Sequence, residues 1–196
     1  MDILTAILAG FGLAAPAGLN AWLPLLLVGL AARFTNLIHL NAPYNLLSET
    51  WVLIALAVLL FIEIMADKVP VVDSVNDAIH TFIRPAAGAI LFAAQNDAVG
   101  GLNPALALIL GLLAAGSVHA IKATTRPLVT ATTAGLGNPF VSILEDALVI
   151  VSVLLALVAP VVAAILFSVL MFVAVRLLLR WRSRRQARAG AAPRGR

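Results

Sequence analysis

The chain has 196 residues, 62% of them hydrophobic and 11% charged, with a mean hydropathy of +1.06. Soluble domains run at roughly 45–50% apolar and about 25% charged, so a water-soluble fold of this length lacks the interior to hide the excess. There is no cysteine, which removes disulfides, thiolate metal sites and thiol catalysis. The formal charge of +4 is no nucleic-acid signal: eight of the thirteen basic residues fall within 176–196, while residues 1–175 hold five basic and nine acidic ones.

The N-terminus, Met1-Asp2-Ile3-Leu4, has no basic residue ahead of its apolar run. A cleaved signal peptide wants one, so the first segment is expected to stay as a membrane helix. Residues 3–32 are almost wholly apolar but punctuated by Gly10, Gly12, Pro16, Gly18, Asn20 and Pro24. An interior proline removes a hydrogen bond and clashes with the preceding turn, which predicts a kink or break at Pro16, Gly18 and Asn20. Such a break is either a packing face of small residues or the discontinuous helix that transporters place at binding sites.

Residues 34–50 read as a polar loop. The second span runs from about Trp51 to Ala66 and ends at Asp67-Lys68-Val69-Pro70, with Glu63 and Asp67 one turn apart. Asp73, Asp77, His80 and Arg84 then recur at i, i+4, i+7 and i+11, opposite Val75, Ile79, Phe82 and Ile83, which predicts a short amphipathic helix over 73–84. Arg84-Pro85 is expected to end it. The apolar stretch 86–94 is too short to span alone, since about 20 residues are needed; it either joins the amphipathic helix as a tilted span or is re-entrant.

The next span covers about Leu102 to Ile121, with His119, Lys122 and Arg126 on one face at its end. Residues 123–137, rich in Thr and Gly, are expected to form a loop. Asn138-Pro139 predicts a helix start, Asn as cap and Pro in the first turn, and that helix, about 139–158, carries Glu145 and Asp146. A last span covers about Val161 to Leu179. Trp51 and Trp181 suit an interfacial belt, whereas Trp22 lies deeper.

These segments predict an all-α, polytopic transmembrane bundle of about six spans: a membrane domain over 1–181 and a disordered, basic cytoplasmic tail over 182–196. Cytoplasmic loops collect Lys and Arg. With six spans and the tail inside, Lys68, Arg84, Lys122 and Arg126 fall on the inner side and only Arg33 on the outer. Four spans plus two surface helices is the rival. Gly18-Leu19-Asn20 recurs as Gly101-Leu102-Asn103, and the same offset carries Glu63 onto Asp146. That thin repeat suggests inverted halves, 1–98 and 99–181.

Glu63, Asp67, Lys68, Asp73, Asp77, His80, Arg84, His119, Lys122, Arg126, Glu145 and Asp146 thus form a candidate polar centre. Ionisable groups at membrane depth are costly and normally functional or paired. Three readings follow. The charges lock the helices together; or unpaired carboxylates, whose protonation burial favours, hold a cation or proton; or the four cations cradle a phosphate or anionic lipid headgroup. Neither a Ser-Gly-His nor a His-Glu-x-x-His motif is present, so no catalytic residue, metal site or cofactor is assigned.

The set Gly18-Leu19-Asn20-Ala21-Trp22-Leu23-Pro24, Glu63, Asp67-Lys68-Val69-Pro70, Asp73, Arg84-Pro85, Gly88, His119, Lys122, Arg126, Asn138-Pro139 and Glu145-Asp146 resembles an uncharacterised bacterial integral-membrane family, domain of unknown function 4126, over about residues 3–180. The resemblance implies a multi-pass inner-membrane protein and marks these polar residues as the family's signature; it carries no activity. The expected function is a transporter or channel-like protein for an ion, proton or small polar solute, with Glu63, Asp67 and Asp146 as core carboxylates. The alternative is a lipid-binding or assembly protein with a structural salt-bridge network. Membrane lipids are the expected partners, a homodimer is left open, and nucleic acid is not expected.

Overall fold

The computed structural model describes residues 3–67, 70–99 and 102–163, together with 165, 169, 172, 173 and 176; side chains are described for these except Ile3, 70–77 and 97–99. Every described element is helical. Helix α1 (Ile3–Ala14) runs into a 3-10 turn, Ala15–Gly18, before α2 (Trp22–Phe34). After a loop and a second 3-10 turn, Tyr44–Ser48, come α3 (Thr50–Ala66), α4 (Pro70–Val99), α5 (Pro104–Thr133) and α6 (Asn138–Val158).

The break between α1 and α2 has local causes. Pro16 cannot donate to the turn before it, and its carbonyl takes the backbone N–H groups of Leu19 at 2.9 Å and Asn20 at 3.3 Å. A Cβ on Gly18 would collide with the carbonyl oxygen of Ala115, so the break lies directly on α5. The Asn20 side chain restarts the helix, its Oδ1 accepting from the N–H groups of Trp22 (3.2 Å) and Leu23 (3.0 Å). At the far end of α2, Arg33 reaches the carbonyl of Ser48 (3.0 Å) and the hydroxyl of Thr50 (2.7 Å), tying α2 to the start of α3.

Three expectations are corrected. Arg84-Pro85 does not end a helix: Pro85 lies inside α4, which is 30 residues long and runs on to Val99. It is held along α5 by mutual small-residue contact, for a Cβ on Gly88 would meet Ala115 and stand 2.7 Å from the Gly111 carbonyl. One missing hydrogen bond does not outweigh a packed interface of that kind. Residues 123–133 are not loop but the last part of α5, with Pro127 inside it. Their threonines return hydroxyl hydrogen bonds to carbonyls one turn back, as in Thr124 to Ala120 (3.0 Å), Thr125 to Ile121 (3.0 Å), Thr130 to Arg126 (3.1 Å) and Thr133 to Val129 (2.7 Å). A helix that satisfies its own hydroxyls tolerates threonine. It stops where Ala134 and Gly135 turn left-handed, at φ 51° and 84°. Asn138, finally, does not cap α6; it is the first residue of the helix, fully buried, and its amide donates to Thr130 at 2.9 Å.

The distribution of polarity is inverted relative to a soluble bundle. Asn20, Glu63, Asp67, His80, Arg84, Gln95, Asn96, His119, Lys122, Arg126 and Asn138 are buried, while Trp51, Ile54, Phe61, Ile109, Leu113, Phe140, Leu144 and Val151 face outward. Among the described residues, α5 and α6 are long and apolar enough to cross a membrane, and α1, α2 and α3 are shorter apolar helices. The final span expected over 161–179 lies mostly outside the described residues; those described within it, 161–163, 165, 169, 172, 173 and 176, are helical. The tail, 182–196, lies wholly outside them.

Candidate functional site

The helix break exposes backbone groups that no helix can satisfy; charged side chains from α3 and α5 reach two of them, and a third, from α6, reaches the Asn20 side chain. The carbonyl of Leu19 accepts from Lys122 Nζ of α5 at 2.7 Å. The N–H of Ala21 donates to Glu63 Oε2 of α3 at 3.2 Å. The amide of Asn20 donates to Asp146 Oδ1 of α6 at 3.0 Å. The break is therefore the point on which the polar centre converges, as buried backbone polarity requires.

Around it lie two linked charge groups. In the first, Arg84 of α4, with no exposed side-chain surface, donates to Glu63 Oε1 through Nη2 at 2.9 Å and Nε at 3.3 Å. Its Nη1 also donates to His119 Nδ1 at 3.0 Å. A guanidinium has no lone pair to offer, so His119 Nδ1 accepts, and the ring proton is assigned to Nε2, which faces Thr81 Oγ1 at 3.1 Å. His80 Nε2 lies 3.6 Å from Glu63 Oε1, and the His80 ring stands edge-on to Trp22 with centroids 6.2 Å apart.

The second group gathers at the end of α3. Lys122 Nζ lies 3.1 Å from both Asp67 Oδ2 and Glu145 Oε2. Arg126 Nη2 lies 2.6 Å from Glu145 Oε2 and 3.4 Å from Asp67 Oδ2. Both cations are buried. Uncompensated, each would be very costly; with two carboxylates shared between them the set is locally neutral. Asp146 differs from the other three carboxylates: among the described residues it accepts from Asn20 without an ion pair.

The structure thus brings together Glu63, Asp67, His80, Arg84, His119, Lys122, Arg126, Glu145 and Asp146 at the Pro16–Asn20 break. Lys68 lies outside the described residues. Asp73 and Asp77 belong to α4, but their side chains are not among those described. Sequence reasoning missed Thr81, the Leu19 carbonyl and the Ala21 N–H. No pattern marks Thr81. The two backbone groups are implied by any break in a helix, because each needs a partner when buried. Among the described residues no group of His, Asp and Glu has the geometry of a metal site.

The family model described as Domain of unknown function (DUF4126) matches residues 7–180. No curated protein and no solved structure matches the chain.

Proposed function

The chain belongs to the DUF4126 family, and we propose that it is a small multi-pass inner-membrane protein of transporter or channel type, passing an ion, a proton or a small polar solute through the polar centre at its helix break. The inverted polarity supports the membrane setting, because apolar side chains turned outward suit lipid and buried charges suit a protein interior. Eight of the thirteen Lys and Arg residues fall within 176–196, and Lys68 lies between α3 and α4, which favours a cytoplasmic C-terminus.

One observation carries the transport reading. Asp146 sits at a discontinuous helix, held by the neutral amide of Asn20, while its neighbours Glu63, Asp67 and Glu145 are already matched to cations. A carboxylate without a fixed counter-charge can take and release a mobile one. In proteoliposomes, wild-type protein should relax an imposed cation or proton gradient, and Asp146→Asn should be folded but inactive. Equal rates in the two would remove this reading.

A second reading keeps the same centre as a structural lock in a lipid-binding or assembly protein. It is favoured by the pairing of Glu63, Asp67 and Glu145 at hydrogen-bond distance. It expects no flux from wild type and a large stability loss from Glu63→Gln.

A further inference from the structure

The Lys122 ammonium group is not merely one half of a salt bridge. Its nitrogen lies 2.7 Å from the Leu19 carbonyl oxygen, 3.1 Å from Asp67 Oδ2 and 3.1 Å from Glu145 Oε2. These oxygens come from three separate places: the unwound backbone after α1, the end of α3, and α6. A carbonyl released by a helix break together with carboxylates from other helices is the donor set from which discontinuous helices build monovalent-cation sites. Here the site is filled by the chain's own cation. The Lys122 side chain is nearly inaccessible to solvent, so the ammonium is stripped of water and takes its coordination from protein oxygen.

We propose that Lys122 is a tethered occupant of a monovalent-cation site made by Leu19, Asp67 and Glu145, and that a free cation enters this site only where the lysine is displaced. Charge and size set the ligand class. Among the described residues, Asp67 and Glu145 supply two negative charges and Arg126, on the same carboxylate oxygens, supplies one positive charge. Lys122 brings a single positive charge to the same oxygens, so an occupant of charge +1 reproduces what it supplies there. Ammonium–oxygen spacings of this kind suit a large monovalent ion. Magnesium and calcium, which need oxygens at about 2.0–2.6 Å, fit neither the spacing nor the charge.

The experiment is thermal unfolding of purified Lys122→Ala protein in detergent, with ammonium, potassium, sodium or N-methylglucamine chloride at equal ionic strength. Lys122→Ala empties the cage and leaves room for an ion. The variant should unfold well below wild type in N-methylglucamine chloride. It should recover by about 5 °C or more in saturating ammonium or potassium, with wild type unmoved. Lys122→Met, whose side chain fills the space without charge, should be destabilised and not recover. Lys122→Ser, which adds an oxygen ligand, serves as the second open variant. Stabilisation of the open variants by ammonium or potassium no greater than by N-methylglucamine would overturn the proposal. So would preference for magnesium or calcium, or failure to recover either open variant even when it is prepared in ammonium chloride. The outcome is independent of transport: cation-dependent stability without flux keeps this site and removes the proposed function, and flux without cation dependence does the reverse.

Discussion

Glu63 and Asp146 are both carboxylates at one break, and their surroundings give them different work. Glu63 is closed on Arg84, and neither side chain has appreciable exposed surface. Glu63→Gln removes the carboxylate charge that Arg84 holds at 2.9 Å, and the loss should be about 3–5 kcal/mol, read as a fall in unfolding temperature in detergent; a change under about 1 kcal/mol would mean that the Glu63 charge is not what holds Arg84 in place. Among the described residues Asp146 is held by the Asn20 amide, and an asparagine there keeps a carbonyl acceptor. Asp146→Asn should therefore cost about 1 kcal/mol or less, with any functional loss appearing in flux rather than in stability. The residue types of this centre were legible in the sequence because charge stands out in an apolar chain. Their partners were not: helical spacing shows which residues share a face, but not which faces meet. Glu63 could equally have closed on Lys122 or Arg126, and the structure pairs it with Arg84.

At the scale of elements, the chain balances breaks against packing. Pro16 interrupts a helix, whereas Pro85 and Pro127 sit inside α4 and α5. Pro16 differs in that neighbouring groups accept what it frees: Asn20 restarts the helix, and Lys122 and Glu63 satisfy Leu19 and Ala21. Asn20→Ala should weaken α2 by about 0.5–2 kcal/mol through loss of the cap, and hydrogen exchange should show it as faster exchange at Trp22 and Leu23. At Pro85 the helix carries on past the ring, packed through Gly88 against Gly111 and Ala115. Gly88→Val, which has no room there, should cost about 1–3 kcal/mol or more by overpacking, visible as lower unfolding temperature. Local signals identified the break but misread Pro85 and the threonines of 123–133, because both depend on contacts from elsewhere: a neighbouring helix in one case, carbonyls of the same helix in the other.

For the whole molecule, the inversion of polarity is the feature from which the rest follows. Trp51, Phe61, Leu113 and Phe140 lie outward while Arg84, Lys122 and Arg126 are buried, and two of the helices are long and apolar enough to cross a membrane. The hydropathy of the sequence made the bundle legible. The number of spans was less so: α5 and α6 meet the length for crossing, while α1 and α2 are two short pieces of one apolar run. The measurement that bears most directly on the central claim is gradient relaxation in proteoliposomes, comparing wild type with Asp146→Asn at matched, verified insertion. The account predicts flux in wild type, loss of at least about tenfold in Asp146→Asn, equivalent to about 1.4 kcal/mol on the barrier, and unfolding temperatures within a few degrees of each other. Wild-type flux that survives unchanged in Asp146→Asn, or no flux from well-folded wild type under proton, potassium and sodium gradients alike, would contradict it.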